Sequence, residues 1–220
     1  MLLTFLKMSI QAQANAICPK CGQSHIIPIY KSINTAENPE LKAKVRDGSL
    51  FLWECPHCGG VNLAKYEVLY HDPERKLMFW MVPGNDFSES QMTAITNHTK
   101  AMGGYKLRLV KDMGELMEKV LIDDAGLDDA VIELCKWVTL NELKQKDAGL
   151  AAKLRFYRLE GEGEARNIVF SFAKGGQMVG MKIGWNVYED CEGIIRRNPS
   201  VRPVEGFVRV DAHWLESVVR

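Results

Sequence analysis

Apolar and polar positions alternate through much of the first third of the chain and recur at helical spacing through its middle. Residues 26–30, Ile-Ile-Pro-Ile-Tyr, read as a strand. Asn38 then supplies a helix N-cap, Pro39 the first helical position and Gly48 the stop, so a short helix is expected between them. Leu50 to Trp53 reads as a second strand. After Gly60, apolar runs at 61–71 and 76–83 are joined by Asp72-Pro73-Glu74-Arg75, whose Asp-Pro opening favours a turn, and together they predict a hairpin. Its Leu69, Tyr70, Met78, Phe79, Trp80 and Met81 carry more apolar bulk than one solvated face needs, so something must cover it.

The period changes at Ser88. Ser88 and Gln91 fit a capping box, and Met92, Ile95, Thr99 and Met102 share one face before Gly103-Gly104, which predicts the covering helix. Residues 105–110 alternate as a strand. Asp112 with Glu115 opens a second helix that turns Leu116, Val120 and Leu121 inward and stops at Gly126. Asp128 caps a third, with Leu127 and Ile132 as a hydrophobic staple and Val131, Leu134, Cys135 and Val138 on its buried side. An interruption is expected at residues 139–141, before an end near Lys144. Beyond Gly149 the pattern becomes short apolar runs at 154–160, 167–173, 177–183 and 206–210, separated by turn signals that include Gly175-Gly176, and predicts a small antiparallel sheet. Residues 210–220 read as a closing helix with Trp214, Leu215 and Val218 on one face.

Two five-residue stretches interrupt this alternation: Cys18-Pro19-Lys20-Cys21-Gly22 and Cys55-Pro56-His57-Cys58-Gly59. In each, two thiolates two residues apart can grip one ion, proline presets the turn and glycine lets the backbone fold under the second sulfur. Four thiolates complete a tetrahedral shell that Zn²⁺ accepts readily, so one structural zinc per chain is expected on Cys18, Cys21, Cys55 and Cys58. The 33 residues between Cys21 and Cys55 exceed ordinary ribbon spacing and must fold; each knuckle is expected on a hairpin of one small sheet. The fold class is therefore α+β: an N-terminal zinc-ribbon-like sheet with a short inserted helix, central helices and a small C-terminal antiparallel β region. The boundary is placed between a domain at residues 16–147 and a β-rich region at 148–220.

With the knuckles, the Asn38-Pro39-Glu40-Leu41-Lys42 helix start, the Gly48 stop and the hairpin spanning 69–83 in this order, the chain resembles the bacterial CpXC domain family. The resemblance covers roughly residues 16–135, most specifically 17–83. It implies metal binding through the same four cysteines and no established activity.

Lys+Arg 28 balances Asp+Glu 28, so no global field draws the chain to nucleic acid or an anionic surface. Residues 1–110 carry twelve basic against nine acidic side chains, scattered rather than clustered. No run approaches a membrane span, and a cytoplasmic location is expected by default. Met8 begins a stretch that would itself serve as a start, so residues 1–7 read as an upstream extension. A four-sulfur shell leaves no open position for water, which disfavours hydrolysis at the metal. His57 inside its knuckle is expected off the metal. Cys135 reads as inert core, and Cys191, between Asp190 and Glu192, as a thiol raised by carboxylates. His71 and Asp72, adjacent on a strand, point to opposite faces and cannot readily act as a pair. Asp123 and Asp124 end one helix and Asp128 and Asp129 open the next; a solvated acidic elbow is the plain reading, and an ion site or basic-partner contact the sharper ones. The leading functional expectation is a zinc-stapled protein-interaction or scaffold module with a protein partner. A nucleic-acid-binding ribbon and an enzyme with an unreadable site remain the alternatives.

Overall fold

The computed structural model describes residues 8–84, 103–146 and 152–219, so the helix expected from Ser88 and the segment around Gly149 lie outside the described residues. The chain forms two compact units: Met1–Met117 with Glu205–Val208, and Glu118–Val204 with Arg209–Arg220.

The first unit is built on a five-stranded sheet. Its strands are β1 (Ile10–Ile17), β2 (Ser24–Asn34), β5 (Val68–Asp72), β6 (Leu77–Met81) and β7 (Lys106–Val110), adjacent in that order. β1–β2 and β5–β6 are antiparallel, whereas β2–β5 and β6–β7 are parallel. β1 was not anticipated: Ile10, Ala12, Ala14 and Ala16 alternate with Gln11, Gln13 and Asn15, but alanine is a weak strand former and masks the period. Helix α1 (Pro39–Arg46) follows β2 and buries Leu41 and Val45.

The knuckles do not share one small sheet. The first joins β1 to β2 in the large sheet; the second joins β3 (Leu52–Glu54) to β4 (Val61–Leu63), which pair only with each other among the described residues. The reason is β2, whose buried far end carries Ile33 into register with Tyr70 of β5. The expected hairpin from 61 is likewise divided, because residues 64–67 leave the ladder between β4 and β5. Its turn forms as expected, with Asp72 Oδ1 accepting from the Arg75 N–H at 3.2 Å. Apolar residues cover both sheet faces. Leu69, Met78, Leu107, Leu109 and Phe207 form one cluster, with Trp80 edge-on to Phe207 at 5.6 Å; Tyr70 and Phe79 stack on the other face. The run at 206–210 contributes no full strand, only an isolated bridge between Val208 and Arg108.

Helix α2 (Met113–Asp124) runs from the first unit into the second. The second unit adds α3 (Asp129–Lys146), the antiparallel strands β8 (Arg155–Glu160), β9 (Asn167–Lys174) and β10 (Gln177–Gly184), α4 (Trp185–Arg197) and α5 (Ala212–Val218). α3 continues without the break expected at 139–141, since burial of Thr139 overrides its weak helix propensity. α4, which the pattern left unassigned, turns Tyr188, Cys191 and Ile195 inward at helical spacing. The C-terminal stretch is thus helix as well as strand. α5 is the expected closing helix, capped by Asp211 accepting from the Trp214 N–H at 2.9 Å.

Charge lies inside this unit. Lys119 Nζ meets Asp129 Oδ2 at 2.8 Å and donates to the Val210 carbonyl at 2.7 Å; Lys136 Nζ bridges Glu118, at 2.9 Å, and Glu133. Glu118 also accepts from the Phe156 N–H at 2.7 Å and faces Arg155 at 3.6 Å. Burial holds the Glu133 carboxyl above the usual range against the pull of Lys136 and Lys119. Burial would lower Lys136, but Glu118 and Glu133 outweigh it and raise the ammonium. Among the described residues no helix is long and apolar enough to cross a membrane.

Candidate metal centre

The two cysteine stretches fold identically. In the first, the Cys18 N–H donates to the Gln23 carbonyl at 2.9 Å and the Gly22 N–H returns to the Cys18 carbonyl at 2.8 Å. In the second, Cys55 N–H to Gly60 O and Gly59 N–H to Cys55 O repeat both bonds at 2.9 and 2.8 Å. The reversal needs a left-handed residue after the second cysteine, and Gly22 and Gly59 supply it at φ 72° and 65°. Gly60 has a separate duty: a Cβ there would stand 3.3 Å from Cys58 Sγ and 3.3 Å from the Lys20 chain.

The hairpins bring the knuckles face to face. Cys18 Sγ lies 3.7 Å from Cys58 Sγ, Cys21 Sγ lies 3.7 Å from Cys55 Sγ, and all four sulfurs fall within 4.8 Å of one another. A regular tetrahedron with metal–sulfur bonds of about 2.3 Å has sulfur–sulfur edges of about 3.8 Å, so the spacing fits a tetrahedral thiolate shell. The family profile described as CpXC protein matches residues 17–136, more than half of the 220-residue chain. The chain belongs to the CpXC protein family. No curated protein and no solved structure matches it.

In this CpXC protein the sulfurs can hold a metal ion, and their electrostatics favour one. Burial alone would raise Cys18, but the backbone N–H groups of Cys21 and Lys20 and the neighbouring thiols bring it down to about 6. Cys21 accepts a backbone hydrogen bond from Gln23, yet burial and the adjoining sulfurs push it up to about 12, and Cys58 is also raised. One thiolate thus suppresses its neighbours, and a cation at the centre would relieve the conflict. Two side chains not foreseen from sequence complete the surroundings. His25 Nε2 lies 3.3 Å from Cys55 Sγ, and buried Asn62 donates from Nδ2 to Cys18 Sγ at 3.6 Å and to the Gly60 carbonyl at 2.8 Å. Neither belongs to a cysteine motif; only the hairpin register brings them in. His57 is exposed and outside the cluster.

The four acids of the elbow are placed differently from one another. Asp128 caps α3, accepting from the Ala130 N–H at 2.8 Å, and Asp129 is buried against Lys119. Asp123 and Asp124 are half-buried near the end of α2. Among the described residues, the four cysteines are the one group of three or more His, Cys, Asp or Glu gathered closely enough to share an ion. His71 Nε2 meets Tyr105 Oη at 3.2 Å, while Asp72 pairs with Lys42 at 3.1 Å, so these neighbours serve separate contacts.

Proposed function

We propose that Cys18, Cys21, Cys55 and Cys58 hold one structural zinc ion and that the ribbon it fastens is a protein-interaction or scaffold module of a bacterial cytoplasm. Thiolate donors at these spacings suit zinc, and when bound the ion would fix both knuckles at once with no position left for water. The observation that carries the interaction reading is the outer face of β3 and β4. Leu52 and Leu63 sit opposite each other across the ladder, 50% and 44% exposed, and Val61 beside them is 67% exposed. The other face of that ladder turns Asn62 to the sulfurs. An apolar face placed on a metal-fastened hairpin suits a protein contact rather than a phosphate backbone.

A photo-crosslinking amino acid at position 63 tests this in the producing cell. A discrete adduct with another protein is expected, lost when Cys55→Ser removes one donor. No adduct from position 63 in metal-loaded protein, or adducts to nucleic acid alone, would contradict the reading.

A further inference from the structure

Cys135 and Cys191 are unused by the metal centre and stand 56 positions apart in sequence, yet α3 and α4 pack together and each buries its cysteine, 0% and 2% exposed. Cys135 Sγ lies 3.9 Å from the carbonyl oxygen of Val187, the residue one helical turn before Cys191 on α4. Helical side chains lean back over the preceding turn, so Cys191 faces the same Val187 carbonyl that Cys135 approaches. Expectation from sequence fails at Cys191. Asp190 and Glu192 are exposed, because consecutive helical residues point about 100° apart, so the carboxylates meet water while Cys191 is buried in the packing of α4. The neighbouring Cys135 lowers the Cys191 thiol against burial and Asp190, while Cys191 and burial raise Cys135. One sulfur is therefore disposed to act as thiolate and the other as its proton-bearing neighbour.

We propose that Cys135 and Cys191 form a redox dithiol that hydrogen peroxide converts to a disulfide tying α3 to α4. Cys191 releases its proton, the thiolate attacks one peroxide oxygen, the O–O bond breaks, and the departing hydroxide combines with the released proton as water, leaving a sulfenic acid. Cys135 then attacks that sulfur as its own proton leaves, the S–O bond breaks, and the expelled hydroxide becomes a second water. Two thiols are oxidised and one peroxide is reduced to two waters. A small-molecule thiol reverses the process by exchange.

The test uses the full metal-loaded chain treated with hydrogen peroxide, followed by intact mass and non-reducing peptide mapping. A loss of about 2 Da, reversed by dithiothreitol, and a crosslinked peptide joining Cys135 to Cys191 are expected. Cys135→Ala should instead accumulate a sulfenic acid on Cys191 that dimedone traps. The map of the unsubstituted protein decides the question even where a variant folds poorly. Both cysteines still reduced after the knuckle cysteines have begun to oxidise, or Cys191 paired with a knuckle cysteine in protein that retains its metal, would overturn the proposal.

Discussion

The first unit gathers four thiols around one point, whereas the second buries Glu118, Asp129 and Glu133 against Lys119, Lys136 and Arg155. Both arrangements concentrate charge away from water, but they balance it differently. The thiol cluster brings together four groups that ionise to the same sign and calls for an ion from outside. The second unit supplies equal numbers of each sign from its own chain and leaves little for an ion to add. Dependence on metal should therefore be confined to the first unit, and dependence on pairing between side chains to the second.

Metal removal breaks the contrast most forcefully. Binding at a structural thiolate site contributes on the order of 10 kcal/mol in peptides. Chelation should therefore strip hydrogen-exchange protection from residues 17–63 while α3, α4 and the β8–β10 sheet keep theirs. Uniform loss along the chain would mean that the units share one cooperative core.

Lys136→Met should act in the opposite place. It leaves Glu118 and Glu133 buried without their ammonium partner, at a cost of about 3–5 kcal/mol in urea unfolding, with metal content unchanged. The same side chain sets an alkaline limit. Its folded pKa is raised, so its stabilisation is complete below the ordinary lysine value of 10.5 and fades as pH climbs through the raised value. Stability measured from pH 9 upward should fall in the parent protein and fall less in Lys136→Met.

A smaller effect sharpens the comparison at the sulfurs. His25→Ala removes a partner of Cys55 without touching a donor and should weaken metal affinity by about 10–100-fold in a chelator competition. An unchanged affinity would reduce His25 to packing.

Legibility divided instead between local and long-range contacts. The knuckles, the α1 start at Pro39 and the turn at Asp72 depend on neighbours in sequence, and their residues announced them. β1 was hidden because Ala12, Ala14 and Ala16 carry little strand preference, and α4 because only packing against α3 shows why Cys191 faces inward. His25, Asn62 and the ion network had no motif to betray them. His25 and Asn62 reach Cys55 and Cys18 across separations of 30 and 44 residues, and Glu118 reaches Lys136 and Phe156 on other elements, so register and packing more than spacing create these contacts. The acidic elbow illustrates the cost of reading charge by sequence: Asp128 caps a helix while Asp129, the next residue, is buried against Lys119.

Metal content of the freshly purified, reduced full chain tests the central claim most directly. One zinc per chain is predicted, falling to none when Cys18 and Cys55 are both replaced by serine. A folded parent protein without zinc, or a zinc retained after both replacements, would contradict the four-cysteine centre.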